Sequence, residues 1–136
     1  MEVHPERAEL YVEVRRLFPE ARAVAFVAPT AAWTIAQLKL DGNLDAYLEG
    51  LQRTAAAFDV FIDFSIPSEI TVSTKNTYDG LHYLDDVDDV IAAALVSGTA
   101  GFGVDWKREA PAAIKAAYEE RIERLVLRPL AAAAKP

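Results

Sequence analysis

The sequence predicts a small α/β domain in which helices pack on a short parallel sheet. Two apolar runs, from Ala23 to Ala28 and from Val60 to Phe64, have the composition of buried strands. The segment between them has helical periodicity, which is the layout of a right-handed β–α–β unit. The expected architecture is therefore two parallel core strands with about four to five helices.

The length and composition are those of one globular domain. The chain has 136 residues, of which 52% are hydrophobic and 26% charged. This balance is typical of a folded protein rather than a disordered one. We expect a single α/β domain over residues 1–128, followed by an alanine-rich tail over residues 129–136.

The amino-terminal half begins with an amphipathic helix. Pro5 suits its first turn, and Pro19 ends it. Its apolar positions recur at helical spacing: Leu10, Tyr11, Val14, Leu17 and Phe18. After the first strand, residues 31–40 are predicted to be helical as far as the turn at Asp41, and residues 43–58 form a second amphipathic helix.

The carboxyl-terminal half continues with a loop and two helices. Residues 66–78 have little periodicity and form a long loop from the carboxyl end of the second strand. Residues 84–98 form a helix that ends at Gly98, and residues 98–103 are interpreted as a flexible connector. The last helix begins at Pro111 and is expected to end at Arg128 and Pro129.

Charge and cysteine content exclude several classes of protein. Lys and Arg total 14 against 21 for Asp and Glu, which gives a net charge of −7. No basic stripe interleaved with aromatic residues occurs, so nucleic acid is not an expected partner. The chain has no cysteine, which removes disulfides, thiolate chemistry and cysteine-ligated zinc. We assign no cofactor and no metal.

An acidic cluster and a glycine-rich segment are the two other candidate ligand sites. The cluster of four aspartates at residues 85–89 lacks the glycine and terminal glutamate of a calcium-binding loop. It is better explained as the solvated first turn of a helix, where negative charge is favourable. The segment at residues 98–103 follows a helix and lacks the Lys-Ser/Thr ending of a phosphate-binding loop.

No targeting signal or membrane span is predicted. The start lacks a charged region followed by an apolar one, and no apolar run is long enough to cross a bilayer. We expect a cytoplasmic protein as the sequence is written, or a cell-envelope protein if it belongs to a longer precursor.

The candidate catalytic residues are Asp79 and His82, which lie in the run Asp79-Gly80-Leu81-His82-Tyr83. The run follows the loop that leaves the second strand, at the edge where open α/β sheets bind ligands. A carboxylate that orients an imidazole is the usual arrangement for activating a hydroxyl nucleophile. The alternative is that Asp79-Gly80 is a simple turn and His82 a surface residue.

Asp63 is a second carboxylate of interest, because it lies inside an apolar strand. A buried carboxylate must be paired or lie near the strand end. It either caps the adjacent loop or assists the site. Trp33, Trp106 and Tyr83 are interpreted as packing or rim residues.

The two predicted strands and the run that contains Asp79 and His82 resemble the carboxyl-terminal half of SGNH/GDSL-type hydrolases. The resemblance spans roughly residues 5–98 and is carried by the two strands and by Tyr78-Asp79-Gly80-Leu81-His82-Tyr83. The motif Tyr-Asp-x-x-His-Tyr is most similar to that of the branch that contains the D-alanyl-lipoteichoic acid transfer protein and the alginate O-acetylation proteins. The resemblance implies a flavodoxin-like three-layer α/β/α fold, with Asp79 as orienting acid and His82 as general base of an esterase or O-acyltransferase.

The chain departs from that family in its other motifs. It has no Gly-Asp-Ser block with the nucleophile, no oxyanion-hole glycine and asparagine blocks, and no Gly-x-Ser-x-Gly elbow. The resemblance therefore implies a fragment that is inactive alone, whose strand from Ala23 to Ala28 has a bare edge. We expect that edge to be covered by a second copy or by an amino-terminal partner half. The alternative function is a non-catalytic α/β interaction or dimerisation module.

Overall fold

A computed structural model describes residues 4–134 of the chain. A short 3₁₀ helix, Pro5–Ala8, leads into the first α-helix. In chain order, the elements after it are α1 (Glu9–Leu17), β1 (Val24–Val27), α2 (Ala32–Leu40), α3 (Leu44–Ala55), β2 (Val60–Asp63), a 3₁₀ turn (Thr74–Asn76), α4 (Asp85–Ser97), β3 (Val104–Asp105), α5 (Pro111–Ile122), a π-helical segment (Glu123–Leu127) and α6 (Arg128–Ala133).

The sheet contains the predicted parallel pair and one unpredicted strand. Strand β1 pairs with β2 in parallel, with Val24 opposite Val60 and Val27 opposite Asp63. Strand β3 is antiparallel to β2 on the other side, so the order is β1-β2-β3. Two residues of β3 are too few for a periodic signal, which is why the sequence did not indicate them.

Helices cover both faces of the sheet, which confirms the α/β class. One face packs the side chains of Phe61 and Val104 against α2, α3 and α5. The other face packs Ile62 and Phe64 against α4. The three layers meet along β2, which lies in the centre of the sheet and is buried from Phe61 onward.

Strand β1 is an edge strand, and the expectation that it is buried on both faces is wrong. Val24 and Phe26 are each 49% exposed. Exposed apolar residues also lie along α1 and its end: Leu10, Tyr11, Val14, Leu17 and Phe18. Helix α1 is held by a ring contact between Tyr11 and Phe58, with centroids 5.9 Å apart. The amino-terminal helix and β1 therefore present an apolar surface to solvent.

The last helix extends beyond its predicted end. Helical structure continues through a π segment into α6, as far as Ala133. Pro129 lies in the first turn of α6, so the expectation that Arg128 and Pro129 end the helix is wrong. The extra residue per turn in a π segment frees a backbone carbonyl, which removes the usual conflict with a proline. The final residues of the predicted tail, 135–136, lie outside the described part of the chain.

Candidate functional site

The candidate base lies in a tight loop between the 3₁₀ turn and α4. The loop is closed at its base by a bridge between Thr77 and Tyr83 and by a hydrogen bond from the Leu84 amide to the Asn76 carbonyl at 3.0 Å. The Tyr78 amide donates to the His82 carbonyl at 2.9 Å. At the tip, Gly80 has φ of 89°, a conformation that side chains rarely adopt. The loop is thus internally bonded rather than open.

The Asp79 carboxylate organises this loop. Its Oδ1 accepts the backbone N–H of His82 at 2.7 Å and that of Leu81 at 2.9 Å. Its Oδ2 lies 2.6 Å from Nδ1 of His82. Hydrogen bonds from the backbone of His82, then from its side chain and from the backbone of Leu81, lower the pKa of Asp79 from 3.8 to about 2. The carboxylate therefore stays ionised at neutral pH.

The imidazole of His82 is oriented on one side and open on the other. With Asp79 ionised, Nδ1 carries the proton that is shared with Oδ2, and Nε2 is left as the basic nitrogen. The side chain of His82 is 78% exposed and that of Asp79 is 50% exposed. The two predicted residues are therefore in contact, in a turn and at the surface. The arrangement can accept a proton from a hydroxyl that approaches from solvent.

The loop belongs to the β1 side of the sheet. The Ala31 amide, just after β1, donates to the Gly80 carbonyl at 2.9 Å. A groove of about 410 Å³ runs beside it, lined by Ala28, Pro29, Leu81 and Tyr83 among others. Although the chain reaches this loop from β2, the dyad lies beside the carboxyl end of β1. It therefore lies near the open edge of the sheet.

No serine of the described residues 4–134 contacts the His82 ring. Ser65 and Ser68 are buried. The Ser73 hydroxyl accepts the Lys75 amide, and the Ser97 hydroxyl donates to the Ala94 carbonyl. A serine nucleophile for the dyad is thus not provided within this part of the chain.

Asp63 is the centre of a buried polar network that the sequence did not reveal. Its Oδ1 accepts the Ser65 hydroxyl at 2.6 Å and the Ser65 amide at 2.9 Å. Its Oδ2 accepts the Tyr118 hydroxyl at 2.5 Å and the Trp106 indole N–H at 3.3 Å. The Ser65 hydroxyl also lies 2.7 Å from the hydroxyl of Tyr47. The predicted capping of the adjacent loop is present, within a larger network.

Burial dominates the protonation equilibria of this network. Asp63 is fully buried, and its loss of hydration raises its pKa above 3.8 against the lowering effect of its hydrogen bonds. Burial, together with the charge of Asp63, likewise raises the pKa of Tyr118 and of Tyr47. The tyrosines therefore remain neutral donors. The residues of this network are far apart along the chain and meet only in the folded protein. No local sequence motif therefore predicts the network.

The acidic cluster at residues 85–89 and the aromatic residues singled out from the sequence lie where a structural role explains them. Asp85, Asp86 and Asp88 lie in the first turn of α4, as expected. Within residues 4–134, no group of three or more acidic or histidine side chains is arranged to hold a metal ion. Trp106 and Tyr83 are buried, as interpreted from the sequence, whereas Trp33 is 44% exposed at the rim.

Comparison with protein-family models, with curated proteins and with solved structures gave no match for this chain. Among the described residues, no helix combines the length and the apolar character needed to cross a membrane.

Proposed function

We propose that Asp79 and His82 form the acid–base pair of an SGNH-type esterase or O-acyltransferase that acts on a carbohydrate or cell-envelope acyl ester. The observation that carries the proposal is the 2.6 Å contact between Oδ2 of Asp79 and Nδ1 of His82, with the imidazole exposed. The chain would supply the base, and a serine from outside the described residues would supply the nucleophile.

The chemistry assigns a distinct role to each group. His82 Nε2 accepts the hydroxyl proton as the serine oxygen attacks the ester carbonyl, and it returns that proton to the leaving alcohol. Asp79 holds the imidazole in the required tautomer and stabilises its positive charge. A positioned base of this kind contributes about 10²–10⁴-fold in rate. Without the hydroxyl and oxyanion donors, the chain alone should show no serine-type turnover.

The test supplies a hydroxyl in solution. The rate of p-nitrophenyl acetate consumption is measured with and without N-acetylserinamide, in the wild type and in His82→Ala. We expect the added hydroxyl to react faster only when His82 is present. His4→Ala is the matched control, because His4 also lies beside a carboxylate, with Nδ1 3.1 Å from Oε1 of Glu6. It should behave as the wild type.

Two outcomes would contradict this account. Equal rates in wild type and His82→Ala with the added hydroxyl would remove the base role. Turnover by the unaided wild type that disappears in His82→Ala would show that the nucleophile is not missing.

The second candidate function is a non-catalytic interaction or dimerisation module, and the open edge of β1 favours it. The Ala23 and Val27 carbonyls bond toward β2, to the amides of Asp59 and Phe64. Because strand residues alternate, the backbone groups of Val24 and Phe26 point away from β2. Such an edge, with half-exposed apolar side chains, is a template for pairing with another chain.

Light scattering coupled to chromatography tests this candidate. A second copy paired across a two-fold axis would give a dimer that Phe26→Lys dissociates, and Val96→Lys, at a residue 89% exposed, is the control. A monomer whose Val24 and Phe26 amides exchange freely would favour a partner half over a second copy. A dilute monomer with those amides protected would contradict pairing at this edge.

A further inference from the structure

The hydroxyl of Thr77 bonds to two points of the dyad loop, which is the loop of residues 77–83 that carries Asp79 and His82. It donates to the His82 carbonyl at 2.8 Å and accepts the Gly80 amide at 2.8 Å. Thr77 also forms the bridge with Tyr83 that closes the loop. The Thr77 side chain thus fixes the backbone of Gly80, the residue before Leu81, and the backbone of His82.

We propose that Thr77 is a positioning residue for His82, which holds the imidazole against Asp79 through the backbone of the loop. The inference deepens the proposed function and rests on it for its catalytic meaning. The Thr77 hydroxyl bonds to the backbone of Gly80 and His82, so it acts through the loop and not on the reacting atoms.

The bonds of Asp79 explain why the hydroxyl matters. The Asp79 carboxylate that contacts the imidazole through Oδ2 also accepts the amides of Leu81 and His82, which lie 2.9 and 2.7 Å from Oδ1. On either side of these amides, the Thr77 hydroxyl holds the Gly80 amide and shares the His82 carbonyl with the Tyr78 amide, which favours the direction that the amides take. Without the hydroxyl, the part-buried Gly80 amide loses its acceptor and the His82 carbonyl keeps only the Tyr78 amide as donor, so the loop is less firmly held at both points.

The hydroxyl is chemically specific to this role. Valine has the shape of threonine but neither donates nor accepts a hydrogen bond, whereas serine keeps both functions. Thr77→Val should therefore separate Asp79 from His82, and Thr77→Ser should restore their contact. Thr74→Val, at an exposed position in the neighbouring 3₁₀ turn, is the matched control.

Nuclear magnetic resonance of the full chain provides a test that needs no turnover. The carboxyl carbon of Asp79 is titrated, and the ring nitrogens of His82 are recorded, in all four proteins. We expect an Asp79 pKa near 2 in the wild type, Thr77→Ser and Thr74→Val, and a pKa near the ordinary value in Thr77→Val alone. Where the hydroxyl-dependent ester reaction is observed, Thr77→Val should slow it by up to about 100-fold.

The outcomes separate the two proposals. If Thr77→Val folds, as judged by circular dichroism, and keeps the titration and ring signals of the wild type, the positioning role is wrong. Failure of Thr77→Ser to restore the signals would also overturn it. If the titrations behave as expected but His82→Ala does not affect ester reactivity, Thr77 positions the imidazole and the proposed function is the one that fails.

Discussion

Asp63 and Asp79 use the same local bonding in opposite surroundings. Each carboxylate accepts the backbone N–H of the residue two positions later, from Ser65 and Leu81 respectively, and each also contacts a nearby side chain. Asp63 is fully buried, whereas the side chain of Asp79 is half exposed. Burial raises the pKa of Asp63, and hydrogen bonds lower that of Asp79.

The difference separates a carboxylate with a structural position from one that is accessible for the proposed chemistry. Asp63 fixes the end of β2 to α5 through the Tyr118 hydroxyl, and no solvent-facing group is left over for chemistry. Asp79 bonds only within its own loop and leaves the other side of the His82 ring open. The bonding pattern is therefore not diagnostic, and the surroundings decide between a structural and a chemical role.

Of the two carboxylates, removal of the buried Asp63 should have the larger effect on the stability of the fold. Asp63→Ala leaves buried donors on Ser65, Tyr118 and Trp106 without their acceptor, at a cost of about 1–3 kcal/mol for each unsatisfied group. We expect the free energy of unfolding, measured in urea, to fall by at least about 3 kcal/mol. Asp63→Asn should lose less, because it keeps one acceptor oxygen.

Asp79→Ala is the control for that measurement. Its carboxylate is exposed to water, so the urea midpoint should fall by less than in Asp63→Ala, while the His82 ring signals change. A midpoint shift in Asp79→Ala as large as that in Asp63→Ala would contradict the separation of structural and chemical roles.

A smaller effect should appear in the pH dependence of stability, with opposite signs for the two residues. Asp79 has a lowered folded pKa, so its contribution is present above about pH 4 and is lost as the pH falls toward about 2. Asp63 has a raised folded pKa, so its contribution is present below about pH 4 and is lost as the pH rises through the folded value.

The difference in free energy of unfolding between wild type and Asp79→Asn, followed from pH 7 to pH 2, measures the first of these contributions. It should shrink only below about pH 4. A difference that is constant across this range would show that the loop bonds do not favour the ionised carboxylate. Carboxyl titration of Asp63 should give a value above 3.8, and a value below it would contradict burial as the dominant cause.

The sequence predicted the parts of the molecule that depend on local pattern. The parallel pair, the helices that follow it and the turn at Gly98 have strong periodic or capping signals, and the structure confirms them. The contact of Asp79 with His82 also followed from spacing. The catalytic roles of the two residues and the SGNH resemblance remain predictions.

The parts that were missed depend on distant residues or very short elements. The Asp63 network joins Tyr47 and Tyr118, which are far apart along the chain and look like ordinary core residues. Strand β3 has only two residues, and the helix after Arg128 continues through a π segment that no periodic pattern signals. The positioning contacts of Thr77 follow from the backbone path of the loop, which its sequence alone does not specify.

The hydrogen bond from the Ala31 amide to the Gly80 carbonyl, 2.9 Å long, has a mechanical consequence. It attaches the tip of the dyad loop to the chain leaving the edge strand. A molecule that displaced this part of the chain as it docked at the edge would therefore act on the backbone of the loop without touching either side chain of the pair.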